Sequence, residues 1–97
     1  MIQSFADRGT EDVYDNVDSK QARRCCPKGL WAVAQRKLDQ LDVVEVLDDL
    51  RAPPGNRLEA LKGERKGQHS IRINQQFRIC FRWTASGPER VEIVDYH

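Results

Sequence analysis

The sequence contains no long apolar run. Its 97 residues hold no stretch near the roughly 18–20 apolar residues that a membrane-spanning helix needs. Its start does not look like an export signal either, since Met1–Thr10 is mixed polar and acidic. Cysteine is sparse and odd in number: there are 3, and Cys25 and Cys26 are neighbours. Adjacent cysteines rarely pair, because the ring is strained. That argues against a secreted disulfide scaffold and for a reducing, cytoplasmic setting. A zinc site from Cys25, Cys26, His69 and His97 lacks any CxxC or HxxxH spacing, so no metal or other cofactor is expected. Aromatics are 7% and hydrophobics 39%, low for a globular chain but above the level of disorder. The length leaves room for one domain, residues 1–97, with one modest core and no separate cofactor lobe.

What is present is charge, and it is segregated. Residues 1–50 carry seven Lys/Arg against ten Asp/Glu, and residues 83–97 carry one against three. Residues 51–82 carry eight against two, a net +6 inside a chain of net +1. A solvated surface would mix the signs. A basic block of this kind suits phosphates or an acidic partner.

Hydrophobic spacing divides the chain in two. Ile2–Phe5 reads as a short strand. Val13, Tyr14 and Val17 give a weak amphipathic helix within residues 7–18. Residues 19–29 read as a loop, polar and basic and broken by Pro27 and Gly29. Leu30, Ala34, Leu38 and Leu41 form one stripe and predict a helix over residues 30–42. Val43, Val46, Leu47 and Leu50 suggest a second, short helix, ended by Pro53, Pro54 and Gly55.

From residue 57 onward the period becomes two. Leu58/Ala60, His69/Ile71/Ile73, Phe77/Ile79/Phe81/Trp83 and Val91/Ile93 alternate with polar residues. Turns fall at Asn74–Gln76 and at Ala85–Pro88. Helices followed by strands predict an α+β domain, with the N-terminal helices on one face of an antiparallel sheet. Phe77, Ile79, Phe81 and Trp83 must then face the helices, and Arg78 and Arg82 the open side. Glu59 is out of phase with Leu58 and Ala60, so it shares the open side. Asp95, Tyr96 and His97 bring a carboxylate, a phenol and an imidazole from the last strand. His69 is in phase with Ile71 and reads as core-facing. Trp31 and Trp83 read as core, and Cys80 as packing.

Residues 54–63 (PGNRLEALKG), 67–74 (GQHSIRIN) and 77–81 (FRICF), with the closing Val94-Asp95-Tyr96-His97, make a combination that resembles the HigB branch of the RelE/ParE toxin superfamily. The first half agrees in layout, with Arg36-Lys37-Leu38 and Leu41 at the expected helix. Phe77 stands where many relatives have Trp, and Glu59 where some have histidine. The resemblance implies a RelE-like, microbial-RNase-like fold. It implies a toxin that enters the ribosomal A site and cuts mRNA there. It also implies a helix-turn-helix antitoxin, HigA-like, that neutralises the toxin and represses the shared operon. Two other readings stay open: a ParE-like inhibitor of DNA gyrase, and a non-catalytic RNA-binding regulator.

RNA cleavage without a metal needs a base for the 2′-proton, an acid for the leaving 5′-oxygen, and cations for the charge that builds on phosphate. On the resemblance, Arg78 and Lys62 are the candidate cations. Arginine's fork holds two phosphate oxygens. His97 is the candidate acid, since imidazole titrates near neutrality. Glu59 and Asp95 are alternative bases, and orienting His97 is the other role open to Asp95. Tyr96 is placed to stack on a base. Arg57, Arg65, Lys66, Arg72 and Arg82 are expected to hold RNA and ribosome by charge.

Overall fold

The computed structural model describes residues 1–96. His97, the candidate acid, lies outside the described residues. The elements run α1 (Arg8–Tyr14), α2 (Lys20–Cys25), α3 (Trp31–Val43), β1 (Glu59–Ala60), β2 (His69–Arg72), β3 (Phe77–Thr84) and β4 (Gly87–Asp95). The strands form one antiparallel sheet in the order β1-β2-β3-β4, as the period of two predicts.

α1 begins where the Asp7 side chain accepts a hydrogen bond from the Thr10 amide at 2.6 Å. The segment read as a loop contains a helix, α2. Its six residues bury only Ala22 fully, so it has no apolar period to read. Capping and close approach hold it instead. Ser19 Oγ accepts from the Ala22 amide at 3.0 Å and donates to Asp12 Oδ2 at 2.6 Å. Gly9 lets the two helices touch: a Cβ there would lie 2.6 Å from the Gln21 carbonyl oxygen. α3 follows its predicted stripe, burying Trp31, Ala34, Leu38 and Leu41.

The second short helix expected from Val43 is absent. Val44 turns extended, and only a 3-10 turn, Leu47–Arg51, follows. Val43 is 71% exposed and Val46 53%. Three β-branched residues within four positions propagate a helix poorly once tertiary packing stops supporting it. The expected Ile2–Phe5 strand reduces to one parallel bridge, Phe5 to Val91. The segment still covers the outer edge of β4. Ser4 O accepts from the Val91 amide at 3.0 Å, and the Ala6 amide donates to Val91 O at 2.9 Å.

One face of the sheet carries the core. Ile71, Ile79, Phe81, Val91 and Ile93 pack with Val13, Trp31, Leu38, Leu41 and Leu50. Trp83 packs against this core half-buried. The β3–β2 turn is held by Asn74 Oδ1, which accepts from the Gln76 and Phe77 amides at 2.8 and 2.7 Å. β4 contains a bulge, so that Arg90 and Val91 stand against Phe81 alone. Arg90 sits there at φ +52°.

Candidate active site on the open face of the sheet

The strand register sorts the candidate residues. Glu59, Ser70, Cys80 and Glu92 form one row across the four strands on the open face. Arg72, Arg78 and Val94 form the next row. Two arginines directly opposite each other repel, so the sheet gains nothing from this pair. A bound anion would relieve it.

Three arginines converge here. Arg57, Arg72, Asn74, Gln75, Arg78 and Tyr96 line a cleft of about 270 Å³. Arg78 is fixed by two hydrogen bonds: Nε donates to Ser70 Oγ and Nη2 to the Arg57 carbonyl, each at 2.7 Å. Arg57 caps the 3-10 turn Pro54–Asn56 in the left-handed conformation, φ +46° and ψ +55°. Tyr96, 40% exposed, is anchored through its amide to Gln76 O at 2.6 Å.

Tyr96 also borders a second cleft, about 340 Å³, with Glu59, Ala60, Leu61 and Lys62. The phenol therefore stands between a basic cleft and one carrying a carboxylate and an ammonium. Asp95 lines neither. It is in register with Phe77, on the opposite side of the strand from Arg78, and accepts from Gln76 Nε2 at 3.1 Å on both oxygens.

The remaining basic candidates are scattered. Arg65 pairs with Glu92 Oε1 at 3.2 Å and donates to Gln68 Oε1 at 3.1 Å. Lys66 is exposed just beyond the 3-10 turn Gly63–Arg65. Arg82 is exposed at the far end of β3, opposite Glu89. Cys80 is fully buried, and desolvation pushes its thiol up from the usual value, which leaves it inert. His69 faces the core side and stacks on Phe81, with ring centroids 6.3 Å apart.

Sequence reasoning missed three groups at the site. Asn74 and Gln75 line the arginine cleft, and Ser70 holds Arg78. Alternation alone puts Ser70 on the Arg78 face, but a serine among strand residues gives no signal of what it binds.

No described helix is long and apolar enough to cross a membrane. Comparison with known proteins identifies the fold and the family. A solved structure, the YoeB-YefM complex from Staphylococcus aureus, has a chain that shares this fold with a TM-score of 0.54 at 16% identity, over 100% of this chain and 98% of that one. Toxin HigB-1 of Vibrio cholerae is 42% identical over 83 residues, 86% of this chain and 84% of the relative. An uncharacterized protein of Haemophilus influenzae is 40% identical over 57 residues, 59% of this chain and 56% of its own. The family model for HigB-like toxins, described as the RelE-like toxin of the type II toxin-antitoxin system HigB, matches residues 3–97. The chain belongs to the HigB-like toxins, RelE-like toxins of type II toxin–antitoxin systems.

Proposed function

We propose that this toxin is an endoribonuclease that cuts mRNA on the ribosome without a metal ion, and so stops translation and growth. The observation that carries the reading is the arginine cleft. Arg72 and Arg78 stand opposite each other with Arg57 beside them, under an exposed Tyr96. That is a site for a phosphodiester flanked by a stacked base.

In the proposed reaction the 2′-oxygen attacks the adjacent phosphorus. The O2′–P bond forms and the P–O5′ bond breaks, leaving a 2′,3′-cyclic phosphate and a 5′-hydroxyl. Arg78 and its neighbours stabilise the charge on the equatorial oxygens. Glu59 takes the 2′-proton, with Lys62 beside it in the second cleft. This geometry favours Glu59 over Asp95, which is across the strand and engaged with Gln76. His97 gives a proton to the leaving 5′-oxygen, and Asp95 orients it. Arg65 is the weakest of the ribosome-binding candidates, because Glu92 already neutralises it. Lys66 and Arg82 are exposed and hold ribosomal RNA through charge alone. The neutralising partner is a helix-turn-helix antitoxin, and the compartment is the cytoplasm.

A toeprint assay on ribosomes programmed with a defined mRNA tests this. Cuts should appear on ribosome-bound mRNA and not on free mRNA. Arg78→Ala should abolish both the cuts and growth inhibition while circular dichroism stays native. Inhibition of gyrase supercoiling with intact mRNA would overturn the reading in favour of a ParE-like activity. Growth inhibition with neither would favour a non-catalytic regulator.

A further inference from the structure

We propose that Ser70 and the left-handed turn at Arg57 are positioning elements that aim Arg78 before any substrate arrives. The inference rests on the reading of the arginine cleft as the scissile phosphate's site. An arginine side chain carries substantial rotamer entropy. An exposed one would lose that freedom only on binding and weaken the grip. Here the two bonds have already fixed it, and they use specific protons. The Nε–H goes to Ser70 and one Nη2–H to the Arg57 carbonyl. Three of the five N–H groups, both on Nη1 and one on Nη2, then remain for an anion.

Each anchor is costly unless it serves Arg78. Ser70 is fully buried between Glu59 and Cys80 in the register of the sheet. An apolar residue would suit such a position, and a buried hydroxyl is tolerated only with a partner. Arg78 is the partner of that hydroxyl among the described residues. Left-handed backbone is uncommon outside glycine, yet Arg57 adopts it, and its carbonyl is thereby turned toward Arg78. The turn is locked from below by Asn56, fully buried. Its carboxamide donates to Gln40 Oε1 and Leu50 O at 3.0 Å and to Ala52 O at 3.2 Å, and its oxygen accepts from Lys37 Nζ. The orientation of Arg78 is thus tied to α3 through a polar hub and not only to its own strand.

The test combines a spectroscopic and a kinetic readout on the full chain. The Arg78 Nε–H proton should exchange slowly in the wild type and quickly in Ser70→Ala. At saturating ribosome–mRNA complex, Ser70→Ala should slow single-turnover cleavage roughly tenfold, the scale of a small misplacement in a catalytic group. Apparent affinity for the complex should hold. In an Arg78→Lys background, which has no Nε–H for the hydroxyl to accept, adding Ser70→Ala should slow cleavage no further. Equal slowing in both backgrounds, or none in either, would overturn the proposal. A second pair covers the turn: Arg57→Gly and Arg57→Val lose the same guanidinium, but only valine resists φ +46°. The valine variant should cut roughly tenfold more slowly than the glycine variant, and equal rates would count against the turn's role. Should Arg78→Ala itself cut like the wild type, the reading of the cleft fails, which is a different result from Ser70→Ala alone being silent.

Discussion

The two faces of the sheet are built from alternate residues of the same strands, and they follow opposite rules. On the helix side, Ile71, Ile79, Phe81 and Ile93 bury carbon against carbon and their partners are interchangeable in kind. On the open side, Arg72 faces Arg78, and Ser70 lies buried beneath the guanidinium it holds. The first face gains stability from every contact. The second carries repulsion and desolvated polar groups, which local stability alone does not favour. A strand can satisfy both demands because its side chains alternate, so a change on one face need not disturb the other. That separation can be broken on purpose.

The largest effect is expected at the centre of the buried face. Phe81 is fully buried and stacks on His69. Phe81→Ala should cost about 3–5 kcal/mol, from lost transfer energy and the cavity it leaves. In a chain this short, that is much of the total stability. Urea denaturation should show the loss, and toxicity should vanish with the fold. A native-like midpoint would mean that the core is not continuous across β3.

The helical layer should give a smaller loss. Ser19 caps α2 and also donates to Asp12, which is nearly buried. Ser19→Ala should cost about 1–2 kcal/mol, the upper part of the range for a lost cap, because Asp12 also loses a donor. Ser19→Asp would keep the cap but set a second carboxylate against Asp12, so it should not rescue. Chemical denaturation of the two variants decides this. Full rescue by aspartate would show that the cap alone matters.

These two cases also show what could be read from the sequence. The sheet, its open face and α3 were legible because burial imposes a period, and Leu38/Leu41 and Ile79/Phe81 declare it. α2 was not, because it is held by a serine cap, one alanine and a close approach at Gly9, none of which leaves a period. Alternation placed Arg78 and Glu59 on one face, whereas the side taken by Asp95 relative to Arg78 comes from the β3–β4 register. The convergence of Arg57 with Arg72 and Arg78 was not legible. It depends on a left-handed turn twenty-one residues before Arg78, and long-range closure of that kind leaves no local trace. The same holds for Asn56, which reads as a turn residue and is a buried hub.

On the open face a substitution should move stability the other way. Arg72→Thr removes one member of a like-charged pair and keeps a β-branched residue on the strand. Stability should rise, by up to about 1 kcal/mol, and more at low salt than at high. Cleavage of ribosome-bound mRNA should fall, because the cleft loses a cation. Denaturation curves at two salt concentrations, with the cleavage assay alongside, check both halves. A variant less stable than the wild type would mean that Arg72 contributes packing through its stem that outweighs the repulsion.

The smallest effect is a pH dependence that comes from buried thiols. Burial pushes the Cys26 thiol up from 9.0 to about 11. Cys25 and Cys80 shift the same way, also chiefly through desolvation. A raised thiol value means that the folded chain keeps a proton which the unfolded chain gives up. Below the ordinary value both states are protonated and the contribution is fully present. As pH climbs from about 9 the unfolded chain ionises first, so stability falls, and the fall ends once the folded thiol ionises near 11. Cys26→Ala should flatten this decline between pH 9 and 11, measured as the urea midpoint against pH, with Cys25 and Cys80 left to supply what slope persists. An unchanged slope in Cys26→Ala would assign the alkaline loss to groups other than this thiol, Tyr14 first among them, since burial and the charges of Asp42 and Asp39 raise its phenol too.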